Sequence, residues 1–390
     1  MRIAVLDWFC EPLKPATTGL SDLVWDMADH LHALGEDAYV LAAYDPEAPS
    51  PRRRAPLYRF DRPKLWQRNI LGHLMTCLAL ARNLRKVPRP DVVLAAEYVS
   101  AAVVAAYYPS LPVVFTTPGN VYERIAVSNP YDWSTTQVYK LATAVAGRRC
   151  AGVIAISRYM RAWWIASGAP HERITVIPHG TDAEYFRPVP DARARLGIPE
   201  REQMILYAGR LSPEKNVELA IRVVAAQVAD HPQLRLRIAG AGPIEGSLRQ
   251  LAAELGVADR VLFLGWVDRA LLPVYYSAAD VFLLPAHSEA LGRVILEAMA
   301  CGCFVAAPDV SGPPDIITDG VTGALVRPRN VSAWRAILAR ALDDGRWRCS
   351  VAAAARRQVE THYAWPVIAR RIRDEALAPA IELARARRAG

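Results

Sequence analysis

Two glutamates eight positions apart are the side chains of this sequence best suited to holding hydroxyl groups. Glu289 lies in a polar loop after the apolar run Val281–Leu284, and Glu297 lies in the helical segment that begins near Gly292. A carboxylate accepts two hydroxyl hydrogen bonds, so one glutamate suits a ribose diol and the other a sugar ring. A helix that begins directly after a strand favours phosphate, and a glycine there permits close backbone approach. The alternative interpretation is a pair of solvated acids.

A second loop carries two cations. Arg210 and Lys215 lie between the apolar run Met204–Ala208 and the helical pattern Val217–Ala229. Arginine can bind phosphate oxygens in a bidentate manner and lysine acts as a point charge, so together they can neutralise a pyrophosphate. The alternative interpretation is again a solvated loop.

Two further strand-to-helix junctions are weaker signals. Gly240-Ala241-Gly242-Pro243 ends a strand pattern but lacks the third glycine of a dinucleotide-binding fingerprint, which argues against a nicotinamide dehydrogenase. Ala4–Gly19 is its counterpart near the start of the chain, with Thr17-Thr18-Gly19 before a helix.

The elements that must position these loops alternate regularly. Short β-branched runs and amphipathic stretches follow one another, which is typical of βαβ units and a parallel sheet. The pattern restarts after two prolines in Phe186–Pro190, which forbid a helix and stiffen a linker. The sequence therefore predicts an α/β protein with two tandem Rossmann-like domains facing across a cleft. Their bounds are 1–187 and 188–363, and a C-terminal helical tail, 364–390, follows the second domain.

The predicted bounds of these elements follow the apolar runs. The predicted strands are Arg2–Leu6, Ala38–Ala42, Val92–Leu94, Val113–Phe115, Val153–Ile156, Thr175–Ile177, Met204–Ala208, Leu234–Ala239, Arg260–Leu264, Val281–Leu284, Phe304–Ala307 and Ala324–Val326. Because ligands of such sheets bind beyond the carboxyl ends of the strands, the interdomain cleft is the expected site.

Composition excludes several classes of protein. The 390 residues are 52% hydrophobic and 22% charged, which excludes an intrinsically disordered chain. The 29 prolines and 22 glycines have no period, which excludes a collagen-like one. The net charge of +8 suits anionic small ligands or an anionic membrane surface, and no basic-aromatic module supports nucleic-acid binding.

The six cysteines indicate a reducing compartment. They are scattered, with no CxxC pair and no Cys/His cluster at zinc-finger spacing, so we expect reduced thiols and no metal site. The chain opens on a strand pattern rather than a signal peptide, and its most apolar window, Val92–Tyr108, is too short to cross a bilayer. We therefore expect a cytoplasmic protein.

In these motifs the sequence resembles the family-4 retaining glycosyltransferases, which use nucleotide sugars and have the GT-B fold. The resemblance implies that the first domain binds the acceptor, that the second binds the nucleotide sugar, and that the C-terminal tail, 364–390, crosses back to the first domain. The matching pieces are Ala155-Ile156-Ser157, Val176 to Asp182, Gly209 to Asn216, Gly240 to Pro243 and Glu289 to Gly302. The combination of the two spaced glutamates with the Arg/Lys loop is the most specific of these features.

The resemblance implies a role for each matching residue. Arg210 and Lys215 would hold the donor diphosphate, Glu297 the ribose, and Glu289 the transferred sugar near its reacting carbon. The remaining donor-binding positions it implies are Gly209, Gly242, the backbone of Ala290, Leu291 and Gly292, the main chain around Val267 for the base, and Gly19 of the first domain.

Some positions depart from the family pattern. Thr18-Gly19 replaces a common glycine pair, Pro118 stands where many members have a histidine, and Leu291 replaces a common phenylalanine. Ser311-Gly312-Pro313-Pro314-Asp315 replaces a common Gly-Gly-x-x-Glu. Asn120 is a candidate substitute for the missing histidine, and Asn120, Tyr122 and Glu123 are the acceptor-binding candidates.

The function implied is the transfer of a hexose-type sugar from a UDP- or GDP-sugar to an acceptor hydroxyl. The linkage would be α, the mechanism front-face, and no metal or cofactor is required because protein cations stabilise the leaving group. The acceptor is a glycan, a lipid-linked sugar or a small natural product. The alternatives are a catalytically degenerate GT-B scaffold or partner subunit, and a nucleotide-sugar epimerase on the same scaffold.

Peripheral membrane contact is a separate hypothesis. Leu65–Lys86, preceded by Arg52-Arg53-Arg54, has the pattern of a basic interfacial helix. The alternative is an ordinary helix of the first domain whose arginines face water. Oligomeric state is left open by the sequence.

Overall fold

The chain forms two compact units. The computed structural model describes residues 1–10, 19–44, 54–61, 70–116, 119 and 133–389. The first unit comprises Met1–His179 together with Trp365–Gly390, and the second comprises Gly180–Ala364.

The boundary between the two units lies N-terminal to the predicted linker, Phe186–Pro190, because the linker segment packs into the second unit. The buried ring of Phe186 contacts that of Tyr276 edge-on, with centroids 6.3 Å apart. The amide of Val189 donates a hydrogen bond of 3.0 Å to Ser277 Oγ. The prolines exclude a helix here, as predicted, but side-chain packing makes the segment part of the second unit.

The first unit is built on a seven-stranded parallel sheet. Its strand order is β3-β2-β1-β4-β5-β6-β7. The strands are β1 (Arg2–Cys10), β2 (Asp37–Tyr44), β3 (Leu57–Asp61), β4 (Val92–Ala95), β5 (Val113–Thr116), β6 (Gly152–Ala155) and β7 (Ile174–Val176). The central strands β4 and β5 are buried along their whole length, which explains why they are continuous apolar runs rather than alternating ones.

Helices connect these strands. They are α1 (Gly19–Ala33), α2 (Ile70–Asn83), α3 (Tyr98–Tyr107), α4 (Trp133–Arg149) and α5 (Arg158–Ala166). A 3₁₀ turn, Leu84–Lys86, follows α2 directly. Val24 and Leu31 of α1 pack with Ile3 and Val40 of β1 and β2 in the hydrophobic core of the unit.

The second unit repeats the plan with six parallel strands. Their order is β10-β9-β8-β11-β12-β13. The strands are β8 (Gln203–Ala208), β9 (Leu234–Ala239), β10 (Val261–Gly265), β11 (Val281–Leu283), β12 (Phe304–Pro308) and β13 (Ala324–Val326). The helices are α6 (Ala192–Arg195), α7 (Val217–Ala225), α8 (Glu245–Glu254), α9 (Leu272–Ala278), α10 (Arg293–Ala300), α11 (Val331–Asp343) and α12 (Gly345–Gln358). Strand order reverses at β8, which pairs with β9 on one side and β11 on the other, so a ligand crevice is expected at its carboxyl end.

The chain ends in a helical tail. A π-helical turn, Val359–Tyr363, leads into α13 (Trp365–Arg371), a second π-helical turn (Ile372–Leu377) and α14 (Ala378–Ala389). Trp365 and Ile368 lie in the same hydrophobic core as α1, and the Arg371 guanidinium donates to the Val176 carbonyl at 2.9 Å. The predicted architecture, two parallel-sheet Rossmann-like domains with a tail that returns to the first, is therefore confirmed.

Candidate functional site

Two loops at the carboxyl ends of adjacent strands form the candidate site of the second unit. The first, Gly209–Asn216, follows β8, and the second, Leu284–Gly292, follows β11. Because β8 and β11 pair directly, with Val281 opposite Ile205, the two loops leave the same edge of the sheet side by side.

Two hydrogen bonds to main-chain carbonyls hold the two loops together. The His287 amide donates to the Glu214 carbonyl at 3.0 Å, and Asn216 Nδ2 donates to the Pro285 carbonyl at 3.1 Å. Asn216 takes a left-handed conformation, with φ of +50°, which asparagine tolerates better than most side chains. The position of Lys215 relative to Glu289 is thus set by the main chain of both loops together with the Asn216 side chain.

Lys215 and Glu289 meet in this arrangement. Lys215 Nζ lies 2.7 Å from Glu289 Oε2, with side chains 19% and 16% exposed. The sequence predicts roles for both residues but not their contact. A lysine ammonium has three donors, so Lys215 can hold Glu289 and one further anionic group at once.

Arg210 is oriented by its own loop. Its guanidinium donates to Glu214 Oε1 at 3.0 Å, and the Ser212 hydroxyl donates to the same oxygen at 2.7 Å. The Arg210 carbonyl accepts from the buried Tyr207 hydroxyl at 2.7 Å. Burial, followed by the Glu289 and Glu214 carboxylates, raises the pKa of Tyr207 well above its usual range, so the phenol stays a hydrogen-bond donor. The Arg210 side chain remains 54% exposed and is available to a ligand.

The Gly-x-Gly segment after β9 supports the Arg210 loop. The amide of Gly209 donates to the Ala239 carbonyl and that of Leu211 to the Ala241 carbonyl, at 2.9 and 3.0 Å. A Cβ on Gly240 would overlap the Gly209 carbonyl oxygen, and one on Gly242 would overlap that of Leu211. Glycines are therefore required here for the close approach of two backbones.

The second glutamate lies in α10. Gly292 caps this helix with φ of +94°, a conformation that glycine adopts without strain. Glu297 is buried in the second turn, and its Oε2 lies 3.3 Å from the hydroxyl of Tyr276 on α9. Burial and the Glu297 carboxylate raise the pKa of Tyr276, so this hydroxyl also remains a donor.

The backbone between the glutamates is closely packed. Ala290 and Leu291 are buried, and the amide of Gly312 donates to the Glu289 carbonyl at 2.8 Å. A Cβ on Gly312 would overlap the Ala290 carbonyl oxygen. The Ser311-Gly312 segment, although it departs from the family pattern, thus fixes the main chain on which Glu289 stands.

The predicted base-binding main chain lies at the same edge of the sheet. Gly265 ends β10, and its carbonyl accepts from the Gly240 amide at 2.7 Å. The side chain of Trp266 is exposed, and Val267 is half-buried.

The remaining candidates lie in the first unit. Gly19 is the first residue of α1. The acceptor-binding candidates Asn120, Tyr122 and Glu123 lie outside the described residues, as does Pro118.

The proposed interfacial helix is only partly described. Residues 65–69 lie outside the described part, and helix α2 begins at Ile70 and ends at Asn83. It buries one face, including Cys77 and Leu80, so this part packs as a helix of the first unit. Across the described stretches of the chain, we find no helix with the length and apolar character that crossing a membrane requires. Membrane contact by the segment stays a prediction.

Three site residues were not foreseen from the sequence. Tyr207, Glu214 and Tyr276 contact Arg210 or Glu297 directly. Glu214 lies within the recognised loop, where its position next to Lys215 was a usable signal. The two tyrosines lie in a strand and a helix with apolar sequence patterns. Such patterns predict buried rings but do not predict that the hydroxyl groups donate hydrogen bonds to the site.

Comparison with known families agrees with this geometry. The model described as "Glycosyl transferases group 1" matches residues 189–358, and the one described as "Glycosyltransferase Family 4" matches residues 17–185. Among solved structures, sucrose-phosphate synthase from Thermosynechococcus elongatus superimposes with a TM-score of 0.81 at 25% identity. That match covers 97% of this chain and 98% of the other.

Curated relatives carry transferase names. D-inositol 3-phosphate glycosyltransferase of Thermobispora bispora is 37% identical over 53% of this chain and 50% of its own length. GDP-mannose-dependent alpha-(1-6)-phosphatidylinositol monomannoside mannosyltransferase of Mycolicibacterium smegmatis is 32% identical, over 60% of this chain and 64% of its own. The matched region spans about half to two thirds of the length of these relatives. With both halves of the chain matched and the paired loops in place, the chain belongs to the family-4 glycosyltransferases and has the GT-B fold.

Proposed function

We propose that this protein is a retaining glycosyltransferase that moves a hexose-type sugar from a UDP- or GDP-sugar to an acceptor hydroxyl. The observation that carries the proposal is the Lys215–Glu289 contact of 2.7 Å, with the exposed Arg210 guanidinium on the same loop. This contact supports the proposal because cations able to neutralise a diphosphate lie next to a carboxylate able to accept hydroxyl hydrogen bonds.

The donor would lie along the edge formed by the two loops. Arg210 and Lys215 bind the diphosphate, and the amides at the start of α10 face the same anion. Glu297, fixed by the Tyr276 hydroxyl, accepts the ribose hydroxyls. Glu289 accepts hydroxyls of the transferred sugar while it keeps Lys215 in place.

The reaction separates an anionic diphosphate from an oxocarbenium-like sugar. Charge grows on the leaving phosphate oxygen, and Arg210 and Lys215 stabilise it. The acceptor hydroxyl approaches from the face that the leaving group vacates and gives its proton to that oxygen, which retains the α configuration. The protein cations supply the charge stabilisation, so we propose that transfer requires no metal ion or cofactor.

The names of the relatives suggest which substrates to examine first. They include a GDP-mannose-dependent mannosyltransferase and a glycosyltransferase for an inositol phosphate. We therefore propose a phosphorylated or lipid-linked polyol as the first acceptor class to examine, with GDP-mannose as the donor that these names suggest and UDP-glucose as the donor that represents the other base.

Incubation of the full chain with each donor and an inositol phosphate acceptor tests the proposal. We expect release of the nucleoside diphosphate with one of the two bases, and an α anomeric signal in the product by NMR. A β-linked product would contradict the retaining mechanism. Isomerised nucleotide sugar without diphosphate release would indicate an epimerase instead. No turnover of either donor, by transfer or by slow hydrolysis, would favour the degenerate scaffold.

A further inference from the structure

Three side chains of types that ligate metal ions meet inside the first unit, whereas the loops described above belong to the second unit. His73, Cys77 and Glu97 are all buried, and each offers a ligand atom within 4.8 Å of the other two. None of them has a part in the proposed transfer reaction.

Local structure brings these side chains together. His73 and Cys77 are four residues apart on α2 and so lie on one face of the helix. Glu97 follows β4 and caps α3, where its carboxylate accepts from the amides of Val99 and Ser100 at 2.9 and 2.7 Å. The carboxylate is therefore held by the backbone while the helix α2 presents the other two groups to it.

The two separations from the Glu97 carboxylate are close to those of a tetrahedral zinc site, and the third, between His73 and Cys77, is within 4.8 Å. His73 Nε2 lies 3.4 Å and Cys77 Sγ 3.9 Å from Glu97 Oε2. Ordinary zinc bond lengths give ligand separations of about 3.3 Å for nitrogen to oxygen and about 3.6 Å for sulfur to oxygen. The Tyr139 hydroxyl lies 3.4 Å from His73 Nδ1, the ring nitrogen that an outer-shell partner holds in most zinc-bound histidines.

We propose that His73, Cys77 and Glu97 bind a zinc ion that joins α2 to the junction of β4 and α3. Imidazole, thiolate and carboxylate are the ligand types that zinc prefers. One thiolate and one carboxylate neutralise the two positive charges of the ion, which a buried site requires. On binding, the Sγ–H bond of Cys77 is replaced by a zinc–sulfur bond and the proton is released to solvent. Three protein ligands leave one position for water.

Cobalt(II) provides a direct probe of this site. The chelator-treated full chain is titrated with Co²⁺, and the near-ultraviolet charge-transfer band of a cobalt-bound thiolate is followed. We expect the band to saturate at one equivalent, to disappear on addition of Zn²⁺, and to be absent from Cys77→Ser. Cys150→Ala, which removes another buried cysteine of the same unit, should keep the full band.

A second variant and a second measurement distinguish loss of a metal ligand from misfolding of the Cys77→Ser variant. His73→Gln leaves the thiol intact, and we expect it to weaken Co²⁺ binding at least tenfold. Zn²⁺ should raise the thermal midpoint of the wild type and of Cys150→Ala but not that of Cys77→Ser. A wild type without a charge-transfer band would overturn the proposal. So would an unchanged band in Cys77→Ser, which would assign the ion to another thiol, such as the exposed Cys349.

Discussion

Replacement of Lys215 by alanine should lower the rate of sugar transfer by about 10²–10³-fold, the usual cost of removing one group that stabilises transition-state charge. The variant removes two functions of the Lys215 side chain at once. The leaving diphosphate loses a cation, and the partly buried Glu289 carboxylate loses its partner at 2.7 Å. The measurement is kcat/KM for the donor found in the transfer assay.

A second ion pair of the same unit provides the matched control. Arg193 and Asp280 are also 2.7 Å apart, with side chains 17% and 13% exposed. Asp280 immediately precedes β11, at the opposite end of the strand from Glu289. Arg193→Ala should therefore destabilise the fold at least as much as Lys215→Ala, yet leave kcat/KM within about threefold of the wild type. Equal losses of activity in both variants would mean that Lys215 acts through stability alone.

Replacement of Gly242 by alanine should weaken donor binding at least tenfold without removing any group that contacts the donor. The added Cβ would overlap the Leu211 carbonyl, so the Arg210 loop must move away from β9. We expect a cost of about 1–3 kcal/mol in unfolding free energy, as for other overpacked positions. Donor affinity falls because the displaced loop moves the Arg210 guanidinium away from the diphosphate. Isothermal titration with the nucleoside diphosphate measures the loss.

Gly246→Ala is the control for this effect. Gly246 lies in α8, four residues along the chain, and a Cβ there would meet no atom within 4 Å. The substitution should leave donor affinity unchanged and raise the unfolding free energy by about 0.4–1 kcal/mol, because it restricts the unfolded chain. Undiminished affinity in Gly242→Ala would show that the Arg210 loop does not depend on the close packing seen here.

The sequence predicts the two loops because each is a local feature. Arg210 with Lys215, and Glu289 with Glu297, stand at strand-to-helix junctions whose strands are visible as apolar runs. It does not predict the Lys215–Glu289 contact, because that depends on the order of strands in the sheet. Only the pairing of β8 with β11 brings the residues, 74 positions apart, to hydrogen-bond distance.

A long uninterrupted run of apolar residues prevents the sequence from showing where one element ends and the next begins. The window Val92–Tyr108 contains both β4 and α3, and α3 is so evenly buried that no amphipathic pattern separates it from the strand. The cluster of His73, Cys77 and Glu97 was missed for a related reason. The first two residues are one helical turn apart, but the third comes from a different element 20 positions further on. No metal-site spacing in the sequence contains all three.

Binding of a nucleoside diphosphate by the Arg210 loop is the central claim, and a thermal-shift titration with UDP and GDP tests it most directly. A ligand that binds only the folded state raises the unfolding midpoint in a concentration-dependent way. Arg335→Ala is the matched control. The Arg335 side chain is 53% exposed and forms an ion pair with Asp230 at 3.1 Å. The Arg210 side chain is likewise 54% exposed and forms an ion pair with Glu214 at 3.0 Å. We predict that one of the two nucleotides stabilises the wild type and Arg335→Ala, and that Arg210→Ala loses most of the shift. A wild type that neither nucleotide stabilises at millimolar concentration, or an Arg210→Ala variant that keeps the whole shift, would contradict the claim.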